Sequence, residues 1–435
     1  MPVRLYVVYG ADAKYKFYGH VASIEPSMGQ YWDRTVSVTV VDYMDYLATH
    51  NLNMITPQTN ITGGSMVATV LANMGTQPLQ TNYNTGDTFV HGLHTERDES
   101  TTALTALQKI AQSGLDMIYV KGDASGGEYF QYKSRHVLMN EITGNSISAT
   151  FDNSMVGLRV VRSSSDIYTR FKVTTYPASR DAEPVILYTI PEAIPLSPGQ
   201  VYTFKARYVD PLNSGARVSG EDMITPVIGR DYHMAPNIDN IPQYSWQRQG
   251  VSKLDASLGV SVTFGANSAD VTLTNNAAVI GYVTRFNLRG YGLYEYMTQE
   301  ANGTAGTANL ALYGDIQLNL DLPYQSNFHV AEDFVAHFKT KYTNIYSNIE
   351  SLEFIANSGT ALMSAMLGVD VGDLVQFNET VSGITTSNTY LVHGYGLSIE
   401  QGNVIKCTLG PLSLVEDQAF FKVGNEITDE NVIAY

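Results

Sequence analysis

Two histidines are the residues of this sequence best suited by type and spacing to metal chemistry. His91 and His94 stand three positions apart, and Glu96, Asp98 and Glu99 follow them. Imidazole nitrogens and carboxylate oxygens are common zinc ligands. Acidic residues also belong at the start of a helix, where the helix dipole favours them. A solvated loop before a helix accounts for all five residues, so we predict no metal site here.

Three pairs of carboxylates suggest other chemistry. The pairs are Asp42 with Asp45, Glu332 with Asp333, and Asp370 with Asp373. Glycoside hydrolysis needs two carboxyl groups that face each other across a sugar, whereas the first two pairs each fall within one short segment. The third pair lies in Asp-Val-Gly-Asp, which lacks the ligand spacing of a twelve-residue calcium loop. This pattern predicts a tight turn.

The remaining motifs of enzymes are missing from the sequence. It contains no phosphate loop, zinc-protease helix, nucleophile elbow or Cys-x-x-Cys pair. Its single cysteine, Cys407, cannot form an intrachain disulfide and stands in a strand pattern, which predicts a buried thiol. We therefore predict that the chain is not an enzyme, with no catalytic, cofactor-binding or metal-binding residues and no cofactor.

The composition of the chain limits the classes of partner that it can bind. The chain has 435 residues and a formal charge of −16, which disfavours wrapping nucleic acid but allows DNA to slide past without sticking. Only 16% of residues are charged and 29 are tyrosines, a composition that suits extended protein contacts. No apolar run is long enough for a membrane span, and the start lacks the pattern of a signal peptide. We expect synthesis and assembly in a cytoplasm.

The strongest strand pattern closes the chain. Residues 366–377 contain the Gly-Asp turn, and apolar residues alternate in 390–399 and 404–409. The residues of one face are Leu391, His393, Tyr395, Leu397 and Ile399 in the first stretch, and Ile405, Cys407 and Leu409 in the second. This pattern predicts an antiparallel meander that forms the wall of a barrel.

Helix signals occur at four places. A short helix is predicted over 42–47, and a two-turn helix is predicted between a Ser65 cap and Gly75. The third begins at a cap at Ser100 or Thr101 and ends at Gly114, and it precedes a predicted hairpin. The fourth covers Asn327 to Thr343. Strands are predicted over 5–9, 15–24, 35–40 and 151–180, and again over 349–355.

Two regions are less regular. Residues 186–320 have the alternating strands and Pro, Gly and Asn turns of a β-sandwich, with long loops expected over 210–260. The acidic tail 415–435 contains Phe420 and Phe421. Either this tail docks onto a neighbouring component, or it adds a strand that covers an open sheet edge.

Five blocks, in this order, resemble the hub proteins of bacteriophage tails, including the late-control and minor tail protein families. The blocks are Phe17–Val21 with the valine-rich strand into Val41–Leu47, then Thr102–Arg135, Asp166–Tyr176, Met366–Phe377 and Tyr390–Leu409. The resemblance implies that two β-barrels of each protomer face the tail tube. It also implies that three protomers form a ring of pseudo-sixfold symmetry, which adapts a hexameric tube to a threefold tip.

The predicted fold class is mainly β with α+β parts, comprising two tube-like β-barrels, a small α/β domain and an inserted β-sandwich. The predicted domains are a first hub β-barrel (1–95), the small α/β domain (96–150), a second hub β-barrel (151–185 and 321–414), the inserted β-sandwich (186–320) and the C-terminal tail (415–435).

By the resemblance, the chain is a structural virion protein: a homotrimeric hub of a tail tip or baseplate that lines the DNA channel. Its partners would be distal tail and tail-tube proteins above, and tip, fibre or spike proteins below. DNA would pass without specific binding, and no segment would span a membrane. Two alternatives are a tail-tip adhesin that binds carbohydrate through the inserted sandwich, and a cell-wall hydrolase.

Overall fold

A computed structural model of the chain describes residues 1–10, 12–27, 35–94, 101–123, 125–144, 146–152, 155–161, 167–210, 212, 217–236, 254–295, 297–343, 348–378, 389–400, 402–410 and 412–415. The fold is mainly β, as predicted, with 50% strand and 22% helix. The tail 416–435 lies outside the described residues, so both interpretations of it stay predictions.

The elements follow one another in chain order. The strands of the first half are β1 (Pro2–Tyr9), β2 (Asp12–Ser27), β3 (Thr35–Val41), β4 (Gln58–Thr62), β5 (Gln80–Tyr83), β6 (Thr88–Gly92), β7 (Met117–Gly122), β8 (Glu128–Lys133), β9 (Ile147–Phe151), β10 (Gly157–Val161), β11 (Arg170–Thr175), β12 (Ser179–Arg180), β13 (Val185–Thr189), β14 (Ile194–Leu196) and β15 (Val201–Arg207).

The second half continues with β16 (Arg217–Ile224), β17 (Tyr232–Ala235), β18 (Leu258–Phe264), β19 (Ser268–Asn275), β20 (Gly281–Glu295), β21 (Gln299–Thr304), β22 (Gln317–Leu322), β23 (Asn348–Ile355), β24 (Leu374–Phe377), β25 (Thr389–Val392), β26 (Tyr395–Glu400), β27 (Val404–Leu409) and β28 (Leu412–Val415). The helices are α1 (Tyr43–Thr49), α2 (Gly63–Ala72), α3 (Ala103–Gly114), α4 (Arg135–Thr143), α5 (Thr307–Tyr313), α6 (Phe328–Tyr342) and α7 (Thr360–Gly368), with short 3-10 turns at Asp255–Ser257 and Ala356–Ser358.

All four predicted helices are present, although two begin at caps other than those predicted. Helix α2 begins earlier than Ser65, because the side chain of Thr62 accepts a hydrogen bond from the Ser65 amide. Helix α3 is capped in the same way by Thr102, whose side chain accepts from the amide of Thr105. Sequence alone did not distinguish these positions, because several neighbouring hydroxyl residues have the chemistry of a cap.

The helices α1, α2 and α3 surround one core together with strands from both sides of residue 95. This core includes Tyr43, Met66, Leu107 and Phe130, all of which are fully buried. Strands β5, β8 and β7 form a three-stranded sheet beside it, and β4 pairs with β6. The periodic apolar residues of α3 explain the packing, since Leu107 and Ile110 fall on its buried face.

The largest sheet has eight strands, in the order β26-β27-β23-β28-β25-β24-β9, with β10 paired to β23. Its core includes Phe151, Phe354 and Val375, and it also includes Val7 from strand β1. The three-stranded sheet β1-β2-β3 therefore packs against a sheet whose other strands come mostly from the end of the chain.

The predicted meander is present with one correction. Strand β25 ends at Val392 and β26 begins at Tyr395, so the expected continuous strand over 390–399 is broken. Its face is also divided, because Leu391 is buried whereas Ile399 is exposed. Strand β27 behaves as predicted, with Cys407 fully buried.

The region 186–320 contains two sheets around a shared apolar core. The long strand β20 pairs with β12, β13, β14, β16 and β17, while β19 lies between β15 and β18. The core between them includes Leu196, Val271, Phe286 and Leu288. Strands β16 and β17 lie within the part where long loops were expected, so that expectation was wrong for those residues.

A last sheet joins distant segments in the order β21-β11-β22, and helix α6 covers one of its faces through Phe334 and Val335. Among the described residues, none of the sheets closes into a barrel. The two hub β-barrels and the domain boundaries therefore stay predictions.

Candidate functional site

Exposed apolar side chains lie at the far end of the β2–β3 hairpin. Ile24 pairs with Val38, and Pro26 pairs with Val36, so these side chains share one face. The exposed fractions of Ile24, Val36 and Val38 are 61%, 59% and 49%. The part of β3 with described side chains is exposed from Val36 to Thr39. We call residues 22–27 and 36–39 the hairpin arm.

Nearer the base of the same sheet, its opposite face is aromatic. The rings of Tyr6 and Tyr15 lie 4.4 Å apart, and the guanidinium of Arg4 lies 5.4 Å from the centre of the Tyr18 ring. Tyrosine combines an apolar ring with a polar hydroxyl group, which suits a protein interface. By the strand register, these rings lie on the face opposite that of Ile24, Val36 and Val38. The candidate assembly surface is therefore the apolar face of the hairpin arm.

The Gly-Asp turn before β24 holds the N-terminal strands in place. The Lys16 ammonium donates to the carbonyl oxygen of Val369 and to Asp370 Oδ1, both at 3.0 Å. The Lys133 ammonium donates to the carbonyl oxygen of Gly372 at 2.6 Å. Burial lowers the pKa of Lys16, against the opposing effect of the Asp370 carboxylate. Two lysines from the first third of the chain therefore bind one turn near its end.

The same turn leaves its carboxylates engaged in the fold. Asp370 accepts from Lys16, and Asp373 Oδ2 accepts a hydrogen bond from the backbone amide of Asp370 at 3.0 Å. Gly372 has a φ of +85°, a conformation that glycine adopts at no steric cost. The prediction of a tight turn is confirmed.

The two histidines lie at a junction between segments. His91 Nδ1 is 2.9 Å from Glu221 Oε1, and His94 Nε2 is 2.7 Å from Glu295 Oε1. Each imidazole thus contacts a different carboxylate, on β16 or β20. Glu96, Asp98 and Glu99 lie outside the described residues. Within the described ranges, no cluster of three His, Cys, Asp or Glu residues is arranged to hold a metal.

The junction includes two further contacts. Arg180 Nε lies 2.8 Å from Glu221 Oε2, and its guanidinium lies 4.0 Å from the centre of the Tyr291 ring. The hydroxyl of Ser219 donates to the carbonyl oxygen of His94 at 2.6 Å. These ion pairs and hydrogen bonds connect β16 and β20 to β6 and to the residues that follow it, so the histidines hold these distant segments of the chain together.

The other two carboxylate pairs also belong to helices. Asp42 caps α1 by accepting a hydrogen bond from the Met44 amide at 3.0 Å, and burial raises its pKa. Glu332 lies on α6 and forms an exposed pair with His329 at 2.9 Å.

The single cysteine is buried on strand β27. Burial raises the pKa of the Cys407 thiol to about 12, which keeps it protonated and poorly nucleophilic.

A buried ionic network beside α3 has no recognisable signal in the sequence. Arg135 Nη2 donates to Asp87 Oδ2 at 2.6 Å, and His136 Nε2 lies 2.6 Å from Asp87 Oδ1. The Arg135 amide donates to Asp116 Oδ1 at 2.8 Å, and the Tyr132 hydroxyl donates to Asp116 Oδ2. Its members are spread over fifty residues, so only the fold brings them together.

None of the helices in the described parts of the chain is both long enough and apolar enough to cross a membrane.

Comparison with known proteins gave structural neighbours only. No family model matches the chain, and no curated protein matches it. Its fold is similar to that of the 43 kDa tail protein of prophage MuSo2 from Shewanella oneidensis, at 9% identity and a TM-score of 0.43, covering 96% of this chain and 89% of that one.

A tail protein from Neisseria meningitidis MC58 is similar at 9% identity and a TM-score of 0.47, covering 95% and 84% of the two chains. The prophage tail protein gp18 from Listeria monocytogenes EGD-e is similar at 8% identity and a TM-score of 0.37, covering 93% and 81%. All three neighbours are described as tail proteins, two of them from prophages.

Proposed function

We propose that this chain is a structural protein of a bacteriophage tail, located in the virion, that assembles with copies of itself. More specifically, we propose that it is the trimeric hub of a tail tip or baseplate, joined to the hexameric tube above and to tip components below. The ordered sequence blocks that resemble tail hubs support this function. The structural observation that carries it is the hairpin arm.

The arm presents apolar side chains that a lone subunit leaves in water. Ile24, Val36 and Val38 are all about half exposed or more, and they share one face. Contiguous exposed apolar residues of this kind mark contact with another protein. In addition, β1 and β3 are the outer strands of their sheet, and unpaired strand edges invite pairing with another chain. A closed ring of copies covers both features.

The contacts at the Gly-Asp turn supply stiffness. Lys16 and Lys133 join the first sheets to the eight-stranded sheet, and Val7 is part of the core of that sheet. A subunit whose first and last strands are joined in this way resists bending between them. Such rigidity suits a ring that must keep its shape while the tail transmits force.

Charge is consistent with a channel for DNA. The net charge of −16 places excess carboxylate on the subunit, and carboxylates repel the phosphate backbone. A channel wall of this kind lets DNA pass without specific binding. Mapping charge onto an assembled ring tests this part of the proposal, and a basic channel wall would contradict it.

We also propose that the chain has no enzymatic activity. The carboxylates Asp42, Asp370 and Asp373 are used as a helix cap and within a turn. Zymography on peptidoglycan tests this, because a cleared band from the purified chain would show a hydrolase.

The decisive experiment measures the mass of the full chain by light scattering and images it by negative-stain microscopy. We expect threefold rings with three times the chain mass of 47.7 kDa. The variant Val36→Asp should give monomers, because a charge on the arm opposes its burial in an interface. Val201→Asp is a matched control, since Val201 is also a strand residue with an exposed fraction of 59%.

The control variant should form rings like the original chain. A monomeric original chain at all concentrations would overturn the assembly proposal. Rings that form equally well with Val36→Asp would show that the arm is not in the interface.

A further inference from the structure

We propose that a polar trough on the β21-β11-β22 sheet binds a neutral oligosaccharide. The trough is a cleft of about 550 Å³ on the face of the sheet opposite helix α6. Its lining comes from all three strands and the residues next to them, and it includes Lys172, Thr174, Tyr176, Glu300, Asn319 and Asp321.

The two faces of this sheet differ sharply in chemistry. Phe171, Val173 and Leu322 are buried in the core with α6, while the alternate residues of the same strands line the trough. Strand pairing aligns Thr174 with Glu300 on one side and Asp321 on the other. The period of two thus places a row of polar groups from three strands side by side.

The trough has a floor and walls. Thr174 on the central strand β11 is only 7% exposed, whereas the side chain of Glu300 on β21 is 43% exposed. Gln317, Asn319 and Asp321 on β22 are also exposed. The central strand is therefore recessed between its neighbours, which creates a concave site from a sheet face. A cleft of this size is in the usual range for small ligands.

The lining chemistry disfavours three classes of ligand. An apolar ligand would find hydroxyl, amide and charged groups in place of aliphatic ones. An anion would meet two carboxylates against one ammonium, and Lys172 is already paired with Glu300 at 2.6 Å. A divalent cation needs several converging oxygen ligands, yet one of the two carboxylates is engaged with that lysine.

A neutral ligand rich in hydroxyl groups fits the groups that are present. Amide side chains both donate and accept hydrogen bonds, and carboxylates accept from hydroxyl groups. Gln317 Nε2 donates to Asn319 Oδ1 at 2.8 Å, which aligns two amides along one wall. Tyr176 adds an aromatic ring to the lining, and a ring offers an apolar surface to the C–H face of a sugar. An oligosaccharide combines these features.

This inference goes beyond the structural role proposed above and does not depend on it. The trough lies on β11, β21 and β22, away from the hairpin arm on β2 and β3. Binding can therefore be measured on the full chain whether it is a monomer or a ring.

The test uses saturation-transfer difference NMR of the full chain with maltotriose, chitotriose and mannotriose, together with an array of bacterial surface glycans. We expect binding of at least one neutral glycan by the original chain. The double variant Asn319→Ala with Asp321→Ala should bind roughly tenfold more weakly, since it loses two hydrogen-bonding groups. Both residues are exposed strand positions, so folding should be retained, and circular dichroism checks this.

The matched control is Thr203→Ala with Thr272→Ala, which removes an exposed hydroxyl pair 3.2 Å apart on another sheet. This control should bind like the original chain. The proposal is overturned if no neutral glycan binds, or if binding survives the double variant in the trough unchanged. Equal loss in the control would place the glycan elsewhere and overturn it too.

Discussion

Lys16 and Val369 stand 353 positions apart in the sequence, yet the ammonium of one donates to the carbonyl oxygen of the other at 3.0 Å. The side chain of Lys16 is 2% exposed and also contacts Asp370. The ring of Tyr395 lies 4.8 Å from the same ammonium. A single lysine thus connects the second strand of the chain to the Gly-Asp turn and to the closing strands.

Replacement of Lys16 by methionine should destabilise the fold. The change keeps an unbranched side chain of similar length but leaves the Asp370 carboxylate and the Val369 carbonyl without this donor. We expect a loss of roughly 2–4 kcal/mol in the free energy of unfolding, as for other broken buried ion pairs. Chemical denaturation measures it. Lys14→Met is the control, since Lys14 is exposed on the same strand, and an equal loss in both variants would contradict the role of Lys16.

Local features of the fold could be predicted because local physics determines them. The spacing of Leu107 and Ile110 defined a buried helix face, and Asp370 to Asp373 had the pattern of a turn. Cys407 lies buried in the strand that its neighbours predicted. In each case a few adjacent residues carry the whole signal.

Contacts between distant segments could not be predicted in the same way. His91 and His94 suggested a metal site as one alternative, but their partners are Glu221 and Glu295. Nothing within the neighbourhood of either histidine indicates these carboxylates, because the pairing depends on how the segments pack. The trough could not be predicted for the same reason, because its walls come from strands that only the topology of the sheet places beside β11.

The junction around Glu221 should depend on charge. Its side chain is 2% exposed and contacts both His91 and Arg180. Glu221→Gln keeps the shape but removes the charge beside Arg180, so we expect a loss of roughly 2–3 kcal/mol. Thermal unfolding gives the size of the effect, and hydrogen exchange should show faster exchange in strand β20.

A neighbouring carboxylate provides the control for this variant. Asp222 also pairs with Arg180, at 2.7 Å, but its side chain is 71% exposed. Asp222→Asn should cost less than about 1 kcal/mol, as is usual for surface ion pairs, and asparagine tolerates the positive φ found there. Similar losses in both variants would show that burial of Glu221 does not matter.

The pH dependence of stability should contain a contribution from Asp116. Burial raises the pKa of this carboxyl from its ordinary value of 3.8 to about 6, with Tyr132 and Arg135 opposing the increase and Asp87 adding to it. Between these two values the folded state binds more protons than the unfolded state. The Asp116 contribution to stability therefore falls as the pH rises from about 4 to about 6.

Asp116→Asn should flatten this part of the pH profile. The amide oxygen can still accept from the Arg135 backbone, so we expect the fold to be retained and stability at neutral pH to be equal or higher. Urea denaturation at several pH values between 4 and 7 measures the difference between the two chains. A difference that does not change with pH would contradict the raised pKa of Asp116.

Gly372 in the Gly-Asp turn should tolerate replacement by alanine less well than Gly368, which lies just before the turn. Its φ is +85°, and an added Cβ would lie 2.9 Å from the hydroxyl oxygen of Tyr119. Gly372→Ala should therefore cost about 1–3 kcal/mol, through backbone strain and through the displacement of Tyr119. It should also weaken the contact from Lys133, which donates to the carbonyl oxygen of Gly372.

A nearby glycine provides the control. Gly368 at the end of α7 has nothing within 4 Å of an added Cβ, so Gly368→Ala should be neutral or slightly stabilising. Chemical denaturation measures the free energy of unfolding of both variants. Equal stability of Gly372→Ala and Gly368→Ala would show that the turn accepts a side chain at position 372.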